Sequence, residues 1–200
     1  SDTTRILCFA SPGSGKTNFC ILAACSQAKK EKKVIFVDSE GGFSVDRVKQ
    51  IAPEMNQEIL KNILLLEPKS FEEQRKVSST LLDNVKKEHV DLIIIDSMAM
   101  LYRLELGDAI DIGESEKIKG VNRAVANQMR DLSEIARSQN ISIIITNQVY
   151  KEFQSEVDLR KGRIPDVNLV GGDLFKYWSK CIIELKLDGN RRKAILIKHR

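Results

Sequence analysis

Residues 5–17 read Arg-Ile-Leu-Cys-Phe-Ala-Ser-Pro-Gly-Ser-Gly-Lys-Thr. Ile6 to Phe9 are consecutive apolar residues and predict a short buried strand. Ala10 to Gly15 are small or turn-forming, and after Lys16-Thr17 the stretch Asn18-Phe-Cys-Ile-Leu-Ala-Ala predicts a helix. Strand, Gly-rich loop, Gly-Lys-Thr and helix, in that order, are the context a phosphate-binding P-loop requires. Small residues let the backbone curl until consecutive N–H groups point inward, and the helix N-terminus adds partial positive charge. Ser11, Pro12, Gly13, Ser14, Gly15, Lys16, Thr17 and Asn18 are therefore the candidate nucleotide cradle. Lys16 can reach the β- and γ-phosphates of ATP, and the Thr17 hydroxyl can ligate Mg²⁺. Ala10 stands where the usual first glycine would be. A methyl group is a mild change there, because the dense backbone approach falls at Gly13 and Gly15.

The bulk numbers fit a nucleotide-binding domain. Two hundred residues, 42% hydrophobic and 30% charged, suit one soluble domain with a sizeable core, expected to span residues 1–200. Apolar runs reach only about six residues, far short of the ~20 that span a membrane, and no signal-peptide pattern opens the chain. The four cysteines, Cys8, Cys20, Cys25 and Cys181, have no metal-type spacing. They read as small core residues of a reduced, cytoplasmic protein. A net charge of +4 does not by itself establish an acidic partner, although basic residues crowd the final third. The first strand opens at residue 5 and the last residues, Ala194 to Arg200, lie inside a strand, so further chain is expected at each end.

Strands then alternate with helices. Val34–Asp38, Ile63–Leu66, Leu92–Asp96 and Ile141–Thr146 are apolar runs of the kind buried on both faces of a parallel sheet. Phe43 to Ala52 predicts a short helix ended by Pro53. Ser70-Phe-Glu-Glu73 is a capping box before a helix with Phe71, Val77, Leu81 and Val85 on one face. Ile118, Val121, Val125, Met129, Leu132 and Ile135 mark a long helix. Cys181–Leu187 and Ala194–Lys198, joined at Asp188-Gly189-Asn190, predict a hairpin. The expected fold is α/β, a mostly parallel twisted sheet flanked by helices with an antiparallel edge hairpin. Two stretches, 102–115 and 149–172, carry no sustained period and read as loops, either functional or disordered. Both follow strands whose C-terminal ends should lie beside the P-loop.

Asp96 ends the most hydrophobic strand and fits a carboxylate that holds Mg²⁺ opposite Thr17. Glu40 stands after another strand tip, in Ser39-Glu-Gly-Gly42. It reads either as the group that orients the attacking water or as an acid capping the helix after Phe43. Asn147 and Gln148 end a third strand, where they can sense a γ-phosphate or cap the loop. Tyr150, Phe153, Arg160, Lys161 and Arg163 interleave aromatic and basic residues, a pattern that suits single-stranded nucleic acid as well as a solvated surface run. Arg191, Arg192 and Lys193 read as a solvated turn. Lys198, His199 and Arg200 read as a solvated strand end or as a phosphate contact to a neighbouring subunit.

The ordered set resembles the core ATPase of the RecA/Rad51/RadA recombinases, and within them the archaeal RadB paralogues. The residues that carry the resemblance are Ala-Ser-Pro-Gly-Ser-Gly-Lys-Thr, Val-Asp-Ser-Glu-Gly-Gly-Phe, Ile-Ile-Ile-Asp-Ser, Ile-Ile-Thr-Asn-Gln-Val and Gly171-Gly172. The resemblance implies a RecA-like P-loop NTPase fold. It places Glu40 as the water-activating glutamate, Gln148 as the link from the γ-phosphate to the second DNA loop, and Arg47 against adenine. It makes 102–115, with Tyr102 and Arg103, and 149–172 the two disordered DNA-binding loops. Lys198 and Arg200 resemble paired bases that reach a neighbour's ATP. The implied function is a weak, DNA-dependent ATPase that binds ATP, Mg²⁺ and single-stranded DNA and assists a RadA-type recombinase, with self-association open. The second loop is shorter than in strand-exchanging recombinases, which favours the accessory role. The alternative is a RecA-fold ATPase or nucleotide-dependent scaffold that acts on proteins without DNA.

Overall fold

The computed structural model describes residues 5–151, 167–169, 173–189 and 191–199. Its strands are β1 (Arg5–Ala10), β2 (Lys33–Asp38), β3 (Ile63–Leu66), β4 (Val90–Asp96), β5 (Ser142–Lys151), β6 (Val167–Leu169), β7 (Cys181–Asp188) and β8 (Arg191–Lys198). Its helices are α1 (Lys16–Ala28), α2 (Val45–Ile51), α3 (Asn56–Lys61), α4 (Phe71–Glu88), α5 (Met100–Ile112), α6 (Ser115–Ser138) and α7 (Asp173–Trp178).

The apolar strands divide their side chains between two layers by the period of two that a strand imposes. Ile35 and Val37 of β2, Ile93 and Ile95 of β4, and Ile143 and Ile145 of β5 pack with α4, α5, α6 and α7. Val34 and Phe36, Leu92 and Ile94, and Ile144 pack on the opposite face with α1, α2 and α3. Helices on both faces keep water from the strand backbone and leave the strand ends as the open edge. The sheet order is β3-β2-β4-β5-β1-β7-β8, with β6 paired to β5. Neighbours from β3 to β7 run parallel, and only β7–β8 and β5–β6 are antiparallel. The expected α/β sheet with its edge hairpin is the observed one.

Local chemistry fixes the helix starts. Ser70 caps α4 by accepting the Glu73 N–H at 3.2 Å, and Glu73 returns to the Lys69 N–H at 2.7 Å. Ser44 caps α2 in the same way through the Arg47 N–H at 3.2 Å.

Two expectations are corrected. Residues 102–115 are not a loop: most of them lie in α5, which runs to Ile112 and stops at Gly113. The periodicity is blurred because Leu104, Ile110 and Ile112 are 58%, 55% and 61% exposed while Leu101, Tyr102 and Ala109 are buried. In the second stretch, Val149–Lys151 extend β5 and pair with Val167–Leu169. The remainder of 149–172 lies outside the described residues, and with it Phe153, Arg160, Lys161, Arg163, Gly171 and Gly172. Arg200 lies outside them too.

Candidate functional site

Ala10 closes β1 and is 1% exposed, packed with Cys8 and Leu185, so its methyl fills a space that a glycine would leave open. The chain then turns through Ser11, Pro12 and Gly13 and enters α1 at Gly15, whose φ of 98° favours glycine. No side chain caps α1, and its first turn contains no acid, so the leading N–H groups are left for an anion. Lys16 is 5% exposed, and its ammonium folds back over the loop, donating to the carbonyls of Ala10 at 3.4 Å and Ser11 at 3.3 Å. These weak contacts are ones that a phosphate would replace with a charge-assisted pair.

Asp38, at the end of β2, is 1% exposed. Its Oδ1 accepts N–H groups from Glu40, Gly41 and Gly42 at 3.2, 2.9 and 3.2 Å, and its Oδ2 accepts that of Phe43 at 2.7 Å. The loop that carries Glu40 is therefore wrapped around one carboxylate. Ser39 N–H, donating to the Asp96 carbonyl at 2.7 Å, ties that loop to β4. The Glu40 carboxylate points across the sheet edge and accepts from Gln148 Nε2 at 2.8 Å. Since Ser44 caps α2, Glu40 is not needed as a helix cap. Gly42 presses on the Thr17 side chain so closely that a Cβ there would lie 3.0 Å from Cγ2 and 3.2 Å from Oγ1.

Asp96 is fully buried at the tip of β4. Its Oδ1 accepts the Thr146 hydroxyl at 2.5 Å, while Oδ2 is buried with no partner among the described residues. Burial raises the pKa of this carboxyl, Thr146 and Thr17 oppose that shift, and the charges of Glu40 and Asp38 reinforce it. An orphaned carboxylate oxygen beside the Thr17 hydroxyl, among acids that disfavour one another's charge, fits a hard divalent cation. Among the described residues no cluster of three or more His, Cys, Asp or Glu could hold a metal by itself. Thr17 and Asp96 themselves match Mg²⁺, which prefers one or two protein ligands together with substrate phosphates.

Other expected residues fall differently. Asn147 is fully buried, and its Oδ1 accepts the Gln148 N–H at 2.9 Å, the loop-capping option. Arg47 is half-buried on α2 and donates from Nη1 to Gln50 at 2.8 Å. Tyr102 is a correction: it is 6% exposed, its ring lies 6.1 Å from that of Phe71, and its hydroxyl donates to Asn122 at 2.6 Å. It clasps α5 to α6 inside the core and presents nothing to DNA. Arg103, next in sequence, is exposed and borders a cleft of about 290 Å³ with Ser97, Asn147 and Gln148. The Lys198 ammonium donates to the carbonyls of Ser179 at 2.7 Å and Lys176 at 3.4 Å, closing the C-terminal end of α7. The backbone of Tyr150 lies in β5 opposite Asn168.

Sequence reasoning missed two residues. Asp38 carried a signal, a strand-final Asp before a Glu-Gly-Gly turn, which is where a carboxylate gathers backbone N–H groups. Arg192 carried none, because only the sheet order places it at the P-loop. The Cβ that Gly15 lacks would meet its Cδ at 3.0 Å and its Nε at 3.1 Å.

The four neighbouring strands β2, β4, β5 and β1 thus deliver Glu40, Asp96, Gln148 and the P-loop to one edge. The Rad51 family model matches residues 8–198. The chain is 38% identical over 196 residues to the DNA repair and recombination protein RadB of Methanobrevibacter smithii, covering 96% of this chain and 77% of that protein. It is 40% identical over 192 residues to the protein of the same name in Methanococcus maripaludis, covering 96% and 80%. A crystal structure of the RadB recombinase matches with a TM-score of 0.69 and 29% identity, over 98% of this chain and 81% of that one.

Proposed function

Because the chain belongs to the Rad51 family, we propose that it is an ATP- and DNA-binding accessory protein of recombination and DNA repair, with weak ATP hydrolysis. The observation that carries this reading is the hydrogen bond from Gln148 to Glu40 at 2.8 Å, which joins the tips of β2 and β5 on either side of Asp96. The P-loop N–H groups and Lys16 bind the phosphates. Thr17 and the free oxygen of Asp96 would hold Mg²⁺, which would supply positive charge against the charge that develops on the phosphates. Glu40 orients a water in line with the γ-phosphorus and takes its proton as the bond to the bridging oxygen breaks and ADP leaves. Its bond to Gln148 competes with that water, which agrees with slow hydrolysis. Arg47 is assigned to the adenine.

Gln148 also begins the segment that ends in β6. In this reading Tyr150, Phe153, Arg160, Lys161 and Arg163 of that segment, with Arg103, hold single-stranded DNA, so that DNA and the γ-phosphate compete for or share one amide. Lys198 and Arg200 are assigned to a neighbouring subunit's phosphates in a self-assembled state. For Lys198 this requires release from the end of α7. A RadA-type recombinase is the protein partner, and the cytoplasm the compartment. Among the described residues no helix is long and apolar enough to cross a membrane.

The test is fluorescence anisotropy of a labelled single-stranded oligonucleotide, with and without ATP and Mg²⁺, at several salt concentrations. Three phosphate contacts from Arg160, Lys161 and Arg163 predict a slope of log K against log salt of about −2, lost in the R160A/K161A/R163A variant. No binding in any nucleotide state would leave a nucleotide-dependent scaffold or ATPase that acts on proteins.

A further inference from the structure

The β7–β8 hairpin is more than a sheet edge. β7 lies parallel to β1, with Ala10 level with Leu185, so Lys186, Leu187 and Asp188 run on past the end of β1 alongside the P-loop. The return strand places Arg192 opposite Leu187. Its side chain crosses the loop in the space that Gly15 leaves by lacking a Cβ, with Cδ, Nε and Cζ at 3.0, 3.1 and 3.9 Å from that position. A guanidinium therefore lies against the uncapped, acid-free N-terminus of α1 and shares that neighbourhood with the buried Lys16. Among the described residues no carboxylate pairs with Arg192, whereas its neighbour Lys193 is paired with Asp188. Among the described residues neither cation is ion-paired with a carboxylate, and beside a helix N-terminus an anion placed between them gains from both.

We propose that Arg192 is a nucleotide-binding residue acting within its own chain, with its guanidinium on the phosphate nearest the nucleoside. This rests on the reading of the P-loop as the ATP site. The sheet order decides which phosphate it reaches. Asp96, Glu40 and Gln148 come from β4, β2 and β5, all on one side of β1, and they claim the γ-phosphate end. Arg192 comes from the β7–β8 side, the opposite one. A polyphosphate laid across the loop with its γ-phosphate at Thr17 and Asp96 presents its α-phosphate to the hairpin. ATP and ADP then both use Arg192, and the terminal phosphate does not change its contribution.

Isothermal titration calorimetry with unmodified ATP and ADP tests this on the wild type, R192A, R192K and R191A. A charge-assisted contact of this kind predicts about a tenfold or greater loss of affinity in R192A, equal for the two nucleotides. R192K should recover part of the loss and R191A should match the wild type. Because Arg192 is exposed on an edge hairpin, its variants should keep the wild-type melting temperature in the absence of nucleotide. Equal affinity in R192A and the wild type would overturn the proposal alone. A loss for ATP but not ADP would overturn the α-phosphate assignment. A wild type that binds neither nucleotide would overturn the reading of the P-loop and this proposal together.

Discussion

Glu40 Oε1 accepts a 2.8 Å hydrogen bond from Gln148 Nε2, across 108 positions of sequence and between the tips of two strands separated by β4. The carboxylate proposed to orient water is thereby coupled to the first residues of the segment assigned to DNA. If Glu40 acts as the base, E40Q removes the proton acceptor and keeps the size and the hydrogen-bonding reach. Hydrolysis should fall by about 10²-fold or more, in line with general-base contributions. ATP affinity, assigned to the P-loop, should change less than threefold. Q148A should instead leave basal hydrolysis measurable and remove its response to DNA. Steady-state phosphate release with and without an oligonucleotide separates the two variants, and E40Q turnover near the wild-type rate would refute the role of Glu40.

Asp38 is the buried anchor of the Glu40 loop, with four backbone N–H groups on one carboxylate. D38N keeps the shape but turns an acceptor into a donor that faces N–H groups. A buried group left unsatisfied in this way costs about 1–3 kcal/mol. Denaturant unfolding should show that loss, and phosphate release should fall further than the loss of folded protein explains, because Glu40 is no longer held. Turnover per folded molecule equal to the wild type would mean that Asp38 only stabilises the loop.

The mostly parallel α/β sheet is legible because continuous apolar runs such as Leu92–Ile95 suit only strands covered on both faces, and a P-loop fixes where such a sheet opens; that the fold is RecA-like is implied by the family resemblance. Asp96 and Glu40 are legible for the same reason, as carboxylates at the ends of strands. α5 is not, since its apolar residues are divided between core and surface and leave no clean stripe. Tyr102 is misplaced along with it: the family resemblance puts Tyr102 and Arg103 together in a DNA-binding loop, but the segment is helical, and the helix turns the Tyr102 ring inward and leaves Arg103 outside. Arg192 is invisible because its position depends on β7 pairing with β1, a contact between chain ends that no local pattern encodes.

Gly41 and Gly42 look interchangeable in sequence and should not behave alike. Gly41 has a φ of 69° and nothing within 4 Å of the place a Cβ would take, so G41A costs backbone strain, about 1 kcal/mol. Gly42 has no such φ, but a Cβ there would meet Thr17 Cγ2 at 3.0 Å and Oγ1 at 3.2 Å. G42A must therefore move the hydroxyl assigned to Mg²⁺. Its ATP hydrolysis should need a several-fold higher Mg²⁺ concentration for half-maximal rate, with little loss of stability, while G41A should show the reverse. Titration of Mg²⁺ at fixed ATP, beside denaturant melts, decides this. Identical Mg²⁺ dependence in G42A and the wild type would remove Thr17 from the metal site.

The four cysteines are free and buried, and burial raises the pKa of each thiol. Cys8, beneath the P-loop, is pushed up to about 12 from its ordinary 9.0, chiefly by burial, with Lys16 opposing and Asp96 adding to the shift. Between those values the folded chain keeps a proton that the unfolded chain has released. The folded state then binds more protons, so stability is full below pH 9 and falls as pH rises towards 12. For Cys8 this amounts to a loss of about 1 kcal/mol between about pH 9 and pH 10. C8A should lower stability at neutral pH through the lost packing and should also flatten the fall between about pH 9 and pH 10 by that amount. Urea unfolding of the wild type and C8A at both pH values measures the difference, in which every other titrating group cancels. Parallel pH dependences would mean that Cys8 ionises in the folded chain as readily as in the unfolded one, and that the floor of the P-loop is open to water.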